Sequence, residues 1–327
     1  MFPSLGFKME VRARIFLYRS FVYFLLLASG SLASFAEAKP VNIILITLDT
    51  TRADRVGFLG SRRGLTPNLD SLGHQAAIFA RAYSQVPLTT PSHATILTGT
   101  YPQFNHVSDL GTPLAENVPY LPEILRQHGY HTAAFVGSQV LDPKSVSAPG
   151  FDRGFDTYDA GFHTRRMGED RYHSVERRGM TVVDHALAWL NQHPRGPFFL
   201  WVHFYDPHDP YEPPPPFKIR YAASPYDGEI AYVDSAVGKL LMGLRSRGLY
   251  DRALIAVVAD HGEAFGEHGE QSHGLFLYDE TLHVPLLIKQ PSSRSAHVMV
   301  ESRVGSGGLD ITEEGLDLAS HRLGLPR

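Results

Sequence analysis

Cysteine is absent from the 327 residues. That excludes disulfides, thiolate metal sites and a cysteine nucleophile, and it removes any lipid anchor carried on cysteine. A basic excess is absent too. Lys and Arg total 30 against 34 Asp and Glu, for a net charge of −4, so the electrostatic footprint of a nucleic-acid binder is missing. Long apolar runs are also missing. The most apolar stretch, residues 21–27, is short against the roughly 20 residues a spanning helix needs.

That short run sits in a leader pattern. Arg12, Arg14 and Arg19 precede it, the hydrophobicity fades through residues 28–36, and Ala36-Glu37-Ala38 has a small-x-small form. A basic n-region, an apolar core and such a site describe a secretory signal peptide over residues 1–38. The expected protein is exported, periplasmic or extracellular, with no stable membrane span after cleavage. The alternative is an uncleaved N-terminal membrane anchor.

Hydrophobic residues make up 43% of the chain, enough at this length for a large core in one α/β domain. Continuous apolar runs at 41–48, 131–137, 197–204, 253–259 and 284–289 read as strands buried on both faces. Amphipathic patterns at 121–128, 179–193 and 226–244 read as helices between them, and 66–77 starts another. This alternation predicts a doubly wound, mostly parallel sheet between helices. The catalytic domain is expected over 39–291. Residues 138–178 read as loop, with 151–156 a turn-rich substrate-side segment. Beyond Pro291 the patterns fade, only a weak helix is suggested at 315–325, and the C-terminal segment 292–327 reads as truncated.

Polar clusters follow three of the strands: Asp49 after the first, Asp206 and His208 after 197–204, and Asp260 with His261 after 253–259. Open α/β sheets place their sites at such carboxyl ends. A fourth element is Pro87-Leu88-Thr89-Thr90-Pro91-Ser92-His93, which reads as a helix start with Thr90 as N-cap and Pro91 at the first helical position. A helix N-terminus attracts an anion. Carboxylates with an imidazole suit a divalent cation, Zn²⁺, Mn²⁺ or Ca²⁺. A cation held by Asp49, Asp260, His261 and a threonine oxygen would activate that hydroxyl.

In this order, residues 42–54 (NIILITLDTTRAD), 66–69 (TPNL), 89–99 (TTPSHATILTG), 198–211 (FFLWVHFYDPHDPY), 258–269 (VVADHGEAFGEHG) and 278–288 (YDETLHVPLLI) resemble the sulfatases of the alkaline-phosphatase superfamily. The resemblance covers about residues 40–291. It implies that Asp49, Asp260 and His261 are metal ligands, with Thr50 at the place of a further ligand. It puts Thr89, as nucleophile and ligand, on the position that is Cys or Ser in the family's Cys/Ser-x-Pro-Ser-Arg motif, and His93 on its arginine. His208 falls near the leaving oxygen, and His273 near a Lys or His that touches the transferred group. Arg52 and Thr90 are implied in holding the anion.

Two departures bear on the reaction. Sulfatases convert Cys or Ser to formylglycine, which threonine cannot become. Members with a native threonine nucleophile act on phosphorus. The expected activity is therefore metal-dependent hydrolysis of phosphate or sulfate esters, phosphorus slightly favoured, on an anionic small-molecule, glycan or lipid ester. The alternatives are a true sulfuric ester hydrolase on sulfated glycans, or an inactive anion-binding relative. One cation is favoured, with Asp206, His208 and His273 as the alternative second site.

Overall fold

The computed structural model describes residues 40–145, 147–192, 196–291 and 298–305. The leader expected at 1–38 and the weak helix expected at 315–325 lie outside these. Among the described residues, no helix is long and apolar enough to cross a membrane.

In chain order the main elements are β1 (Asn42–Leu48), α1 (Pro67–Gly73), β2 (Ala77–Tyr83), α2 (Thr89–Thr98), α3 (Leu121–Gln127), β3 (His131–Phe135), β4 (Thr157–Asp159), α4 (Gly179–Gln192), β5 (Phe198–Phe204), α5 (Pro225–Ser246), β6 (Ala253–Ala259), β7 (His283–Val284), β8 (Leu286–Lys289) and β9 (Val298–Gly305). The strands form one sheet in the order β4-β3-β5-β1-β6-β8-β2-β7, with β9 beside β2. Strands β4, β3, β5, β1 and β6 run parallel. β8 is antiparallel to both β6 and β2. The expected mostly parallel sheet between helices is what forms.

β1 lies at the centre because its residues suit burial on two faces. Ile44, Ile46 and Leu48 enter one core with Val182, Val183 and Ala186 of α4 and Val233, Val237 and Leu240 of α5. Leu45 enters the opposite core with Ala94 and Leu97 of α2 and Trp201 of β5. The period-2 alternation of the strand thus assigns its side chains to two separate layers.

Three sequence expectations change. First, α2 begins two residues early. Leu88 is extended (φ −142°, ψ 132°) and is the N-cap, and Ser92 N–H donates to Leu88 C=O at 3.0 Å. The Thr90 hydroxyl donates to Val140 C=O at 2.9 Å instead of capping the helix. Pro91 is then the third helical residue, where its missing N–H would have had no intrahelical partner anyway. Second, the 151–156 turns belong to the core. Phe151 packs edge-on against Tyr120, and Phe155 stacks on Trp201. Two aromatics in a turn-rich segment gain more from burial than from facing a substrate. Third, strand β9 lies beyond Pro291, where the sequence pattern fades, and pairs parallel with β2.

Candidate metal centre and active site

The sheet itself positions the first two acidic residues. β1 is flanked by β5 and β6, with Leu48 level with both Phe204 and Ala259. The ladders continue one step past the strands: Asp49 N–H donates to Phe204 C=O (2.9 Å) and Asp260 N–H to Leu48 C=O (3.3 Å). Asp49 and Asp260 therefore emerge side by side from adjacent strands, at the spacing of a sheet.

Asp49, Asp260 and His261 are fully buried, and one ligand atom from each lies within 4.8 Å of the others. Asp260 Oδ1 accepts from the N–H groups of His261 (2.7 Å) and Thr50 (3.2 Å). Its Oδ2, and Oδ1 of Asp49, have no hydrogen-bond partner among the described residues. His261 Nδ1 lies 2.9 Å from Gly262 C=O, which assigns the proton to Nδ1 and leaves the Nε2 lone pair facing the carboxylates. Burial, and next the charge of Asp260, pushes the Asp49 carboxyl well above the ordinary range, and burial does the same to Asp260. Burial, then His273, keeps His261 neutral. Two buried carboxylate oxygens without donors and an imidazole lone pair directed at one point are what a divalent cation needs. The residues present fit such an ion.

Thr89, the first residue of α2, places Oγ1 3.4 Å from Asp49 Oδ2 and 3.3 Å from His261 Nε2. His93, one turn on, binds back to it: Nδ1–H donates to Thr89 C=O at 2.7 Å. Burial lowers His93 to about 4, so the imidazole at the motif's arginine position is neutral at pH 7. It secures the backbone of Thr89 and supplies no standing positive charge.

Two of the predicted site residues, Thr50 and Arg52, face elsewhere. Thr50 adopts a left-handed backbone (φ 43°), and its hydroxyl donates to Pro207 C=O. It supports Asp260 through its N–H and does not turn its oxygen to the cluster. Arg52 holds Asp54 through two bonds of 3.0 Å and also donates to Glu267 Oε1 (2.9 Å) and Glu263 C=O (3.0 Å). Its guanidinium braces its own loop.

Nor is the alternative second cation site assembled. Asp206 accepts from Gly179 N–H at the start of α4 (3.0 Å) and from Arg178 (3.2 Å). A carboxylate at a helix N-terminus is favourably placed there. Among the described residues, Asp49, Asp260 and His261 are the one group of three with metal-ligand geometry.

His208 and His273 do converge on the cluster. The His208 ring stacks on Tyr205 at 4.3 Å and meets His273 edge-on at 5.5 Å, and His273 lies 4.4 Å from His261. His208 Nδ1–H donates to Asp209 C=O at 2.7 Å, leaving Nε2 free. Burial lowers His208 to about 4.

Sequence reasoning passed over two residues. His203, in the last turn of the pleat of β5, is fully buried, with Nε2 3.4 Å from Asp49 Oδ2. Glu263, also fully buried, lies 2.9 Å from His273 Nδ1 and accepts from the Tyr211 hydroxyl at 2.7 Å. A lone histidine in an otherwise apolar strand, and an acid two residues past a ligand, were the available signals. The backbone is tight here as well: a side chain on Gly262 would meet Glu280 C=O at 2.0 Å.

The sulfatase profile matches residues 41–321. An ulvan-active sulfatase from Formosa agariphila is 28% identical over 78% of this chain and 57% of its own length. Human iduronate 2-sulfatase is 24% identical over 77% of this chain and 60% of its own. The chain thus spans a little over half the length of these curated relatives. Among solved structures, phosphonate monoester hydrolase of Agrobacterium radiobacter superposes with a TM-score of 0.71 at 21% identity, covering 88% of this chain and 74% of that one. The profile match over most of the chain, on a sheet that presents Asp49, Asp260 and His261 together, places this protein in the sulfatase family.

Proposed function

We propose that this protein is a divalent-metal-dependent ester hydrolase in which Thr89 Oγ1 attacks phosphorus or sulfur, with phosphorus esters favoured. The observation that carries this reading is the place of Thr89 Oγ1, within 3.4 Å of Asp49 Oδ2 and 3.3 Å of His261 Nε2. A mixed oxygen and imidazole donor set suits Zn²⁺ or Mn²⁺ better than Ca²⁺. Bound there, the ion would supply Lewis acidity, easing loss of the hydroxyl proton and neutralising charge on the transferring group.

The chain's own groups account for the proton movements. Thr89 passes its proton to Asp49 Oδ2 as Oγ1 bonds to phosphorus. The bond to the leaving oxygen breaks, and that oxygen takes a proton from His208 Nε2. His208 is neutral in the free protein, and the negative charge of a bound ester raises its proton affinity. The N–H groups of Thr89 and Thr90 precede the first intrahelical bond and face the transferring oxygens, with His273 beside them. Water then attacks in line, gives its proton to His208, and releases the acid as Thr89 recovers its own proton from Asp49. A threonine ester has no aldehyde exit, so release requires this second displacement, which is more accessible at phosphorus than at sulfur.

The names of the curated relatives favour a second reading, hydrolysis of sulfated glycans. One experiment separates the two and tests the nucleophile. Metal-replete protein and Thr89→Ala are assayed on aryl phosphates, phosphonate monoesters, phosphodiesters and aryl and sugar sulfates. The proposal expects phosphorus esters to be turned over faster and Thr89→Ala to lose activity by about 10³-fold or more. Undiminished turnover by Thr89→Ala would remove Thr89 as nucleophile, and a sulfate ester outpacing every phosphorus ester would establish the second reading.

A further inference from the structure

Glu263 does nothing in the mechanism above, yet it is fully buried between two loops of the site. Both of its carboxylate oxygens are taken. Oε1 lies 2.9 Å from Nδ1 of His273, and Oε2 accepts from the Tyr211 hydroxyl at 2.7 Å. Its backbone is fixed as well, the N–H donating to Glu280 C=O (3.0 Å) and the C=O accepting from Arg52 (3.0 Å). A carboxylate held on both oxygens and removed from solvent has no lone pair turned toward a substrate. It can act on the reaction only through what it holds.

We infer that Glu263 is the positioning residue of His273. It fixes the Nδ1–H tautomer and leaves Nε2 as the edge that meets the transferring group. The neighbouring rings show why such a clamp is needed. His261 and His208 each satisfy Nδ1 on a backbone carbonyl one residue along, Gly262 and Asp209 respectively. His273 has no such backbone carbonyl; its local contact is the Ser272 hydroxyl, 3.4 Å from Nδ1 and longer than the 2.9 Å to Glu263. It is followed by Gly274, in a left-handed backbone (φ +106°) where an added Cβ would meet Leu88, the residue before Thr89, at 3.1 Å. The shortest contact to Nδ1 is thus from a side chain ten residues back. An ionised acceptor also holds a ring more strongly than a carbonyl does. Tyr211 completes the arrangement by holding the second oxygen, so the loop after β5 and two separate stretches of the loop after β6 meet at one carboxylate.

The assignment has a readout that needs no turnover, and the catalytic reading enters only through the kinetic arm. Imidazole ¹⁵N spectra of the full chain, with the His273 signals identified by their loss in His273→Gln, should show the Nδ1–H form. In Glu263→Ala the population should shift toward Nε2–H. An unchanged tautomer in that variant would overturn the inference. Should Glu263→Ala fail to fold, Tyr211→Phe and Glu263→Gln carry the test: the first keeps the carboxylate and should keep the tautomer, the second should move the Nδ1 shift. In the kinetic arm, Glu263→Gln should lower kcat about 10- to 100-fold on an aryl phosphonate monoester, with KM changed less than threefold. It should have no further effect in a His273→Ala background. An equal loss in that background would mark Glu263 as merely structural and overturn the inference. If no ester is turned over by the parent protein, the ester-hydrolase reading falls while the tautomer result still decides the role of Glu263.

Discussion

Nε2 of His203 lies 3.4 Å from Oδ2 of Asp49, across the paired strands β5 and β1. Gly137 N–H points at His203 Nδ1 from 3.4 Å on the other side of the ring. A ring that accepts at Nδ1 carries its proton on Nε2, which lies near Asp49 Oδ2 without forming a hydrogen bond to it or to any other described residue. Burial, then the neighbouring His93, holds it neutral. Asp49 Oδ2 accepts from the Thr89 hydroxyl at 3.4 Å, with the His203 ring packed beside it, and Oδ1 has no donor among the described residues. Replacing His203 by Leu removes a polar ring edge from beside Asp49 and is expected to weaken Mn²⁺ or Zn²⁺ binding by about 10-fold. Competition with a fluorescent chelator measures it, and unaltered affinity would separate His203 from the site.

Asp260→Asn addresses the charge balance of the cluster. Burial raises the Asp260 carboxyl far above its ordinary range, and the same carboxyl is the largest charge acting on Asp49. Without a cation, the amide relieves that repulsion while its oxygen keeps the bonds from His261 and Thr50. The metal-free variant is expected to be at least as stable as the parent. The parent should gain about 2.7 kcal/mol at a cation concentration 100 times Kd, and the variant should gain nothing. Urea unfolding with and without Mn²⁺ reads both quantities. Equal stabilisation of the two proteins would exclude Asp260 as a ligand.

Gly262→Ala tests the backbone under His261. The added methyl would sit 2.0 Å from Glu280 C=O, an atom of the main chain that cannot swing aside. The Gly262 carbonyl also holds the His261 tautomer. The substitution is expected to cost about 1–3 kcal/mol and to weaken metal binding in parallel, seen in thermal unfolding and chelator competition. A variant that binds metal normally would show that the loop shifts without moving His261.

Glu229 gives a pH signature away from the metal cluster. It is buried beside Asp206, and burial followed by that charge pushes it up to about 8. Its folded value lies above the unfolded value of about 4.3, so between those limits the folded state holds a proton that the unfolded chain has lost. The contribution of Glu229 is full below the lower limit, falls as pH rises, and levels off above about 8. The slope for one group is at most about 1.4 kcal/mol per pH unit. The stability of the parent minus that of Glu229→Gln should therefore decline between pH 5 and 8. A flat difference would mean that Glu229 stays ionised throughout.

The strands that carry Asp49, Asp260 and His261 were legible because a buried parallel strand is a bare apolar run and its end is abrupt. What the sequence hid were orientations. Thr50 follows a ligand directly, and only its left-handed backbone turns the hydroxyl away to Pro207. Arg52 promised an anion site, but the anions it meets are Asp54 and Glu267 of its own chain. His203 stood out in the sequence only as a lone histidine in an apolar strand, and an all-buried strand has no polar face to say which way it points. Glu263 finds Tyr211 52 residues away, a distance that no local pattern encodes. β9 was missed because only a short part of it is apolar and its partner β2 lies at the other end of the chain.

The hydrogen bonds from Asp49 N–H to Phe204 and from Asp260 N–H to Leu48 extend the ladder beneath the cluster. Many small metal domains are unfolded until the ion arrives. Here the ligand backbone belongs to the central strands, whose amides open only with the whole sheet. A cation held there would thus enter and leave a cradle that keeps its shape, and would exchange for another without refolding.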